Sequence, residues 1–326
     1  MITEAVIVRE FGGPEVLKLE KIVLPDLAAK EVLIKQTAIG VNFIDTYFRT
    51  GLYPIELPFT PGEEGIGFIE EVGSDVTEFK IGDRVAYSTN YHNSYMSYKI
   101  LGQEELISVP NDLTDAQVAS SLLRGLTAEY LLFRCYQLQA EQTVLIHAVT
   151  GGIGAILCQW AKQLGARVFG TVGSKDKIEL AKYYGCDEVI DYEKDSFLKV
   201  IREKTNGALV DVVYDSVGKV TLEESLRCVK QRGLLVSFGN ASGAPNPINV
   251  MDILSQGSIF FTRPKLADYI NNHQDYTSAA SNYLSMLSTG KISVPKTIEL
   301  PLKDAEQAHR LLADRSVIEI PLLIPA

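Results

Sequence analysis

Apolar runs alternate with helical segments at a regular spacing from residue 143 onward, and this alternation limits the fold more than any other feature. The runs are TVLIH (143–147), RVFGTV (167–172), EVID (188–191), VDVVYD (210–215) and LLVSFG (234–239). The helical segments between them span 152–164, 175–184, 197–204 and 222–229. Nearly continuous Val, Ile, Leu and Phe is typical of strands buried on both faces. Consecutive βα units therefore predict an α/β fold with a doubly wound parallel sheet of the Rossmann type.

The first 124 residues follow a different pattern. Short β-branched runs at 5–8, 31–34 and 68–72 are separated by Gly/Pro turns, which predicts a β-rich domain. Near the other end, a helical stretch from 266 to 288 precedes a helix near 304–313 and a last strand near 317–324. We expect that strand to rejoin the β-rich domain. The predicted domains are residues 1–124 with 292–326, and residues 125–291.

Composition excludes several classes of partner. The formal net charge is -10, which repels polyanions, so we expect neither nucleic acid nor an anionic membrane as the main partner. Glu4, Arg9 and Glu10 interrupt the first apolar stretch, and no apolar run is long enough to cross a bilayer. The four cysteines include no CxxC pair, so neither a disulfide framework nor a zinc ribbon is indicated. These features predict a cytoplasmic protein.

The segment HAVTGGIG (147–154) lies at the first strand-to-helix junction. A strict GxGxxG motif ending at Gly154 would need glycine at position 149, which is valine. The βαβ context nevertheless predicts a dinucleotide site over Thr150, Gly151, Gly152, Ile153 and Gly154. Two of these glycines leave no side chain between the helix N-terminus and a pyrophosphate, and the last allows close helix–strand packing. A tight turn without a ligand is the alternative.

The end of the second strand distinguishes NAD from NADP. In FGTVGSKDK (169–177) no carboxylate precedes the turn, whereas an NAD site places one there for the ribose 2'-hydroxyl. Gly173, Ser174 and Lys177 instead suit a 2'-phosphate, which favours NADPH. Lys177 could also be an ordinary solvated lysine. Tyr192 is expected to flank the same phosphate, or to be a partly buried tyrosine at a strand end.

Two later turns fall at the carboxyl edge of the predicted sheet, where ligands bind in open α/β folds. DSVG (215–218) contains Ser216, and SFGNASG (237–243) contains Phe238 and Asn240. Their small residues suit close passage of the ribose and nicotinamide, although loop flexibility would also explain them.

Several segments together closely resemble the NADPH:quinone oxidoreductases. They are AIGVNFIDTYFRTGLYP (38–54), PGEEGIGFIEEVG (61–73), LLRGLTAEYLL (122–132), HAVTGGIG (147–154) and YDSVG (214–218). This family comprises zinc-free members of the medium-chain dehydrogenase/reductase superfamily and includes the zeta-crystallin-like proteins. The resemblance implies a GroES-like β-rich catalytic domain, completed by C-terminal residues, and an inserted Rossmann domain, with the cofactor in the cleft between them. It also implies a homodimer joined through the Rossmann sheets, with the edge segment SIFFTRP (258–264) as the expected contact.

The resemblance also assigns roles to individual residues. Arg315 would join Lys177, Tyr192 and Ser174 in holding NADPH, with Phe238 and Asn240 nearby. The nicotinamide and quinone pocket would be lined by Asn42, Asp45, Tyr47, Tyr53 and Thr127. Of these, Asn42, Tyr53 and Thr127 are candidate hydrogen-bond donors to the quinone oxygens.

Zinc-dependent relatives carry Cys and His ligands where this chain has Asn42 and Glu63, and a four-cysteine lobe that this chain lacks. The sequence therefore predicts no metal site. Because adjacent strand residues point to opposite faces, we interpret Glu63 and Glu64 as architecture and not as a catalytic pair. Two departures from the family pattern fall near the expected pocket mouth: Arg124, where many relatives have Lys, and Glu129, where a neutral residue is more usual.

The predicted reaction is transfer of a hydride, or of sequential electrons, from NADPH to a quinone held mainly by orientation. No acid or base residue is identified: His147 is expected to be a satisfied core residue, and His92, His273 and His309 fall outside the motif segments. An enone or 2-alkenal reductase is the close alternative. A non-enzymatic NADPH-binding protein, crystallin-like or RNA-binding, is the alternative from another class.

Overall fold

The computed structural model describes residues 1–88, 92–314 and 316–326. The chain forms two compact units. The first contains Met1–Arg124, Asn272–Ser288 and Val294–Ala326, and the second contains Gly125–Asn271 and Thr289–Ser293. The sequence-based domain bounds stay a prediction, and residues 272–288 group here with the first unit.

Within the described residues the strands are numbered in chain order: β1 (Ile2–Ile7), β2 (Lys18–Val23), β3 (Glu31–Gly40), β4 (Glu64–Val72), β5 (Arg84–Ser88), β6 (Tyr98–Gly102), β7 (Leu106–Ser108), β8 (Thr143–Ile146), β9 (Arg167–Val172), β10 (Glu188–Asp191), β11 (Val210–Asp215), β12 (Val229–Ser237), β13 (Phe260–Thr262), β14 (Thr297–Pro301) and β15 (Ile320–Ile324).

The α-helices of the same residues are α1 (Phe43–Arg49), α2 (Asp115–Ala119), α3 (Leu122–Glu129), α4 (Gly152–Gln163), α5 (Ile178–Tyr183), α6 (Phe197–Lys204), α7 (Leu222–Cys228), α8 (Val250–Ser255), α9 (Leu266–Tyr269), α10 (His273–Ser288) and α11 (Ala305–Ala313). A π-helical segment, Tyr130–Cys135, follows α3.

The second unit contains a six-stranded sheet in the order β10-β9-β8-β11-β12-β13, in which every described pair is parallel. Every residue of β11 is buried, as a central strand covered on both faces requires. The predicted doubly wound Rossmann sheet is therefore confirmed. The strand order reverses between β8 and β11, and this reversal marks the edge where such sheets bind ligands.

The first unit contains a seven-stranded sheet in the order β14-β15-β3-β4-β5-β7, with β6 paired to β3. Strand β3 is the longest of this sheet and pairs antiparallel with β4, β6 and β15. The C-terminal residues thus complete the sheet of the first unit. A separate two-stranded sheet joins β1 and β2.

The helical stretch expected over 266–288 is present, and the structure divides it into α9 and α10. Ile270 has backbone angles outside the helical region (φ -129°, ψ 74°). The Asn272 side chain then accepts a hydrogen bond from the Asp275 amide at 2.9 Å. Such a contact satisfies a donor of a helix first turn and favours a new helix start. In the described part of the chain, no helix combines the length and the apolar character needed to span a membrane.

Candidate active site

The glycine-rich turn between β8 and α4, in the second unit, is where the sequence predicts a nucleotide site. After β8 the chain enters the left-handed region at Ala148 (φ 49°), and the Gly151 amide donates to the Ala148 carbonyl at 2.8 Å. Gly151 is the N-cap of α4 and has no side chain to occupy the first-turn amides. Those amides lack acceptors within the helix, and the helix dipole is positive at this end. The turn is therefore suited to bind an anion.

Two glycines of this turn serve different purposes. A Cβ at Gly154 would lie 2.2 Å from the Ala148 oxygen and 3.0 Å from the Val149 Cα, so the backbone packing requires glycine there. A Cβ at Gly151 would meet the Ala148 oxygen at 3.2 Å and its Cβ at 3.9 Å. Gly151 is exposed, and the space in front of it is open to a ligand. The turn thus fits the close approach of a pyrophosphate. Thr150 is buried beside it, and Gly152 and Ile153 are half-buried.

The residues predicted to bind a 2'-phosphate come together after β9. The Lys177 amide donates to the Ser174 carbonyl at 3.2 Å, and the Tyr192 amide donates to the Val172 carbonyl at 3.2 Å. A Cβ at Gly173 would lie 3.2 Å from the Tyr192 hydroxyl, so this tyrosine stands over the turn. The cluster presents a hydroxyl, a phenol and an ammonium group. This set can bind a phosphate monoester.

Asp215, at the end of β11, organises the two later turns and was not predicted from the sequence. Its buried carboxylate accepts from the Val217 and Gly218 amides, both at 2.9 Å, and from the hydroxyls of Thr221 and Ser225. These hydrogen bonds satisfy both oxygens of the carboxylate and hold the turn in place. The half-buried Ser216 lies within this turn.

Arg263 is a second residue that sequence analysis missed. It donates to the Ser237 hydroxyl at 3.1 Å and to the Gly239 carbonyl at 3.0 Å. With the Asn240 amide oriented to satisfy both of its ends, the Asn240 oxygen accepts from Arg263 at 3.2 Å. The Phe238 amide donates to the Asp215 carbonyl at 2.8 Å. Arg263 is itself 25 residues beyond Phe238 in the chain, which is why the local motif did not reveal it. Arg315 lies outside the described residues.

In the first unit, Asn42 joins helix α1 to strand β4. Its amide N–H donates to Asp45 Oδ2 at 2.8 Å, and its side-chain Nδ2 donates to Glu64 Oε1 at 2.7 Å. The other oxygen of Glu64 accepts from the Leu123 amide at 2.7 Å. All three polar side chains are buried. Each therefore has a defined orientation set by hydrogen bonds.

Two predicted tyrosines lie together, one on α1 and one just after it. The rings of Tyr47 and Tyr53 have centroids 5.2 Å apart, and Phe48 contacts Tyr53 edge-on at 5.6 Å. The Tyr53 amide donates to the Tyr47 carbonyl at 3.1 Å. Both tyrosines are half-buried, with an apolar ring held in place and a hydroxyl able to bond. Thr127 is buried on α3 within the second unit, and its role with the others stays a prediction.

Three carboxylic acids are buried around Asn42. The residue exposures are 1% for Asp45, 4% for Glu63 and 0% for Glu64. Burial raises the pKa of Glu63 well above its usual range, and the charges of Asp45 and Glu64 raise it further. Burial raises the pKa of Glu64 to about 7 and that of Asp45 to about 6. Neighbouring carboxylates in low dielectric cannot all ionise, so this cluster holds protons near neutral pH.

Arg124 is the cation that opposes these acids. The sequence places it near a pocket mouth, but the structure buries it, because its guanidinium donates to the Ser120 and Val41 carbonyls. Its charge lowers the pKa of Glu64 against the larger effect of burial. Glu129, in the second unit, is buried and paired with Arg134 at 2.9 Å. Both unusual residues are thus internal charges with defined partners.

Two histidines, His147 and His92, occupy different surroundings. His147 is a satisfied core residue, as predicted: it is buried, with Nδ1 2.9 Å from the Thr171 hydroxyl and Nε2 2.8 Å from the Ser225 hydroxyl. His92 was missed. Its Nδ1 lies 3.6 Å from Glu63 Oε1, and its ring packs against Phe48 at 4.1 Å. Among the described residues, no group of three or more His, Cys, Asp or Glu side chains is arranged to hold a metal ion.

Two family models match the chain in succession. One, described as alcohol dehydrogenase GroES-like domain, matches residues 28–147, and the other, described as zinc-binding dehydrogenase, matches residues 152–283. The chain is similar to the quinone oxidoreductase of Pseudomonas aeruginosa, at 42% identity over 316 residues and 97% of each chain. It is also similar to a 2-haloacrylate reductase from Burkholderia, at 39% identity over 330 residues and 98% of each chain. The crystal structure of Escherichia coli quinone oxidoreductase complexed with NADPH matches with a TM-score of 0.95 and 41% identity, covering 99% of this chain and 100% of that one.

Proposed function

The chain belongs to the quinone oxidoreductase family of the medium-chain dehydrogenase/reductase superfamily, and we propose that it is an NADPH-dependent quinone reductase. The observation that carries the proposal is the full-length similarity to enzymes of that name, at an identity of 42%. The glycine turn and the phosphate cluster of the second unit support the choice of cofactor.

The second unit would hold NADPH along the carboxyl edge of its sheet. The amides from Thr150 to Gly154 would bind the pyrophosphate, since they form the open N-terminus of α4. Ser174, Lys177 and Tyr192 would bind the 2'-phosphate, with Arg315 as a further cation. Ser216, Phe238 and Asn240 would flank the ribose and nicotinamide. When bound, NADPH supplies the hydride that reduces the acceptor.

The first unit would orient the quinone. Reduction of a quinone to a hydroquinone takes up one hydride and one proton, so the protein must place the acceptor and allow a proton to reach it. Asn42 and Asp45 are fixed by hydrogen bonds, and the half-buried Tyr47 and Tyr53 offer aromatic faces to a planar ring. Thr127 would add a hydroxyl donor. We propose residues 1–124 with 292–326 as the catalytic domain and residues 125–291 as the NADPH domain.

The direct experiment measures NADPH oxidation by the purified full chain with 1,4-naphthoquinone, 1,4-benzoquinone and a panel of 2-alkenals, and repeats it with NADH. We expect turnover of quinones with NADPH and much weaker turnover with NADH. Detection of the semiquinone by electron paramagnetic resonance separates one-electron from hydride transfer. Tight NADPH binding with no turnover of any acceptor would contradict the proposal and favour a non-enzymatic role.

A reductase of activated C=C bonds is the second candidate. The 39% identity to a 2-haloacrylate reductase over nearly the whole chain favours it, because a 2-haloacrylate, like a quinone, has an electron-poor carbon that can accept a hydride. The same acceptor panel, extended with 2-chloroacrylate, distinguishes the two. A preference for the alkene acids or alkenals by orders of magnitude in kcat/KM would replace the first choice.

We also propose a homodimer joined at the edge of the Rossmann sheet. Strand β13 pairs with β12 on one side. Phe260 on β13 is 61% exposed, and Val250 and Leu254 on α8 are exposed at 74% and 63%. An apolar sheet edge of this kind favours association with a second copy. Light scattering should give twice the chain mass, and Phe260→Lys should shift it to monomer, whereas the control Phe68→Lys on the first unit should not.

A cytoplasmic location is a further proposal. All four cysteines are free in the structure, and three of them are buried. Unpaired thiols are typical of a reducing compartment. Cell fractionation with an antibody against the chain tests the location, and recovery in an oxidising compartment would contradict it.

A further inference from the structure

A directed chain of hydrogen bonds crosses the interior of the first unit. Arg49 Nη1 lies 2.9 Å from His309 Nδ1, and His309 Nε2 lies 3.0 Å from the Tyr95 hydroxyl. That hydroxyl donates to Asp45 Oδ2 at 2.8 Å. All four side chains are buried. We call Arg49, His309 and Tyr95 the relay.

The direction of the relay is fixed by the chemistry of its first member. A guanidinium group has donors and no acceptor, so His309 Nδ1 must accept from Arg49 and carry no proton. The neutral imidazole then has its proton on Nε2, and donates it to the Tyr95 oxygen. The single hydroxyl proton of Tyr95 is left for Asp45. Burial, together with the charge of Arg49, lowers the pKa of His309 to about 3, so the imidazole stays neutral under ordinary conditions.

The relay ends on Asp45, in the first turn of helix α1. Asp45 Oδ2 accepts from Tyr95 and also from the Asn42 amide at 2.8 Å. Asn42 in turn donates its side chain to Glu64. Arg49, at the last turn of α1, also donates to the Gly12 carbonyl at 3.1 Å. Both ends of α1 are thus held by buried polar contacts, and Tyr47 lies between them.

Elements far apart in sequence meet in this network. His309 lies on α11, 260 positions from Arg49, and Tyr95 lies 50 positions from Asp45. A buried polar chain contributes less stability than well-packed apolar residues of the same volume would, because each group must be desolvated. Each of its hydrogen bonds, however, holds the two side chains that it joins in a defined arrangement. Its effect is therefore on orientation more than on stability.

We propose that Arg49, His309 and Tyr95 are positioning residues for the quinone, because they hold Asp45 as a hydrogen-bond acceptor and so fix Asn42 and Tyr47 on α1. This inference rests on the proposed quinone reductase activity. None of the three relay residues needs to touch the substrate. They act through Asp45.

The test compares His309→Leu, His309→Gln and Tyr95→Phe in the full chain, assayed with NADPH and 1,4-naphthoquinone well below the lowest melting temperature. Leucine removes both contacts of His309. Glutamine replaces them with one acceptor and one donor. We expect His309→Leu and Tyr95→Phe to lower kcat/KM for the quinone roughly 10- to 100-fold, the range for a lost hydrogen bond to a charged group. His309→Gln should recover most of this loss, and the Kd for NADPH should not change.

Leu101→Ala is the matched control for stability. Leu101 is buried in a separate core cluster of the same unit, so its truncation lowers the melting temperature without touching the relay. We expect it to retain wild-type kcat/KM. If Leu101→Ala loses quinone activity as strongly as His309→Leu does, or if His309→Leu keeps wild-type kcat/KM, the relay is a structural feature alone and the inference is wrong. A wild-type chain that reduces no quinone would instead overturn the proposed function, and the inference with it.

The dependence of kcat/KM on pH provides a further test, because a purely structural role of the relay would not change it. Asp45 faces Tyr95 and Arg124, which favour its ionised form, and the two acids Glu63 and Glu64, which oppose it. If ionised Asp45 is the working state, kcat/KM falls as the pH falls through the pKa of Asp45. Tyr95→Phe removes a donor, so this acidic limb should move to higher pH, while Leu101→Ala should leave it in place. An unmoved limb in Tyr95→Phe would contradict the role assigned to Tyr95.

Discussion

The glycine turn of the second unit and the acidic cluster of the first unit are built in opposite ways. The turn consists of backbone amides between Thr150 and Gly154, and glycine is needed because a side chain would fill the space. The acidic cluster consists of the side chains of Asp45, Glu63 and Glu64, opposed by one buried guanidinium. A site made of backbone has a charge distribution fixed by its fold. A site made of buried acids has one that depends on where its protons are.

The two regions therefore respond differently to a change in pH. The amides and the helix dipole of the turn do not titrate, so its attraction for an anion is constant across the ordinary range. Burial raises the pKa of Glu64 to about 7, and Asp45 and Glu63 shift in the same direction. Variants in the turn should therefore change binding equally at every pH, whereas variants in the acidic cluster should change how stability varies with pH.

Gly154→Ala should have the largest effect. Alanine favours a helix over glycine by about 1 kcal/mol, but its Cβ would lie 2.2 Å from the Ala148 oxygen, a backbone atom that cannot rotate away. Overpacking of this kind costs about 1–3 kcal/mol or more, so the clash outweighs the gain. We expect a clear loss of melting temperature and a Kd for NADPH raised by about 100-fold or more, measured by NADPH fluorescence.

Gly151→Ala is the control for that variant. Its Cβ would meet the Ala148 oxygen at 3.2 Å, which a small shift relieves. We expect a nearly unchanged melting temperature with NADPH binding weakened roughly tenfold, because the methyl group would stand where the pyrophosphate approaches. If Gly154→Ala instead has wild-type stability and wild-type affinity for NADPH, close backbone packing does not require glycine at position 154.

Lys177→Ala should have the next largest effect. If the ammonium group contacts the 2'-phosphate, its loss should raise the Kd for NADPH about 10- to 100-fold, since a hydrogen bond to a charged group contributes about 1.5–3 kcal/mol. The Kd for NADH should stay the same, because NADH has no 2'-phosphate. Lys175→Ala is the control, since Lys175 is exposed in the same turn of 3-10 helix. Equal weakening of both cofactors would mean that Lys177 acts on the turn and not on the phosphate.

The same contrast explains which features of the two regions can be predicted from the sequence and which cannot. The sequence predicts the parallel sheet, the turn ending at Gly154 and the cluster of Ser174 and Lys177. These features depend on residues that are close together in the chain, since a buried strand is a short apolar run and a helix start is a local motif. The relay and the acidic cluster were not predicted. The Asn42 side chain meets Glu64, 22 positions away, and Arg49 meets His309, 260 positions away. Spacing along the chain carries no signal for such contacts.

Single residues show the same limit. Arg124 was expected near a pocket mouth because its neighbours resemble a known motif, but its burial depends on carbonyls of two other segments. The break between α9 and α10 was missed because Asn272 acts as a helix start only once its side chain turns toward the Asp275 amide. The roles of Asn42, Tyr53 and Thr127 toward a quinone stay predictions.

Glu63→Gln should have the smallest effect and the most specific one. Folding raises the pKa of Glu63 well above its value of about 4.3 in an unfolded chain, so the folded state binds this proton more tightly. The stability that this group contributes is present below the unfolded pKa and is lost as the pH rises toward the folded pKa, by up to about 1.4 kcal/mol per pH unit.

Glutamine has the shape of the protonated acid and no charge to bury. We expect Glu63→Gln to match wild type near about pH 4, where this acid is largely protonated in both the folded and the unfolded chain, and to exceed it by at least roughly 1 kcal/mol near about pH 8, measured by urea unfolding. Glu70→Gln, exposed on the same strand β4, should leave the pH dependence unchanged. Parallel curves for Glu63→Gln and wild type would mean that Glu63 is ionised in the folded chain, and the electrostatic contrast between the two regions would then rest on Asp45 and Glu64 alone.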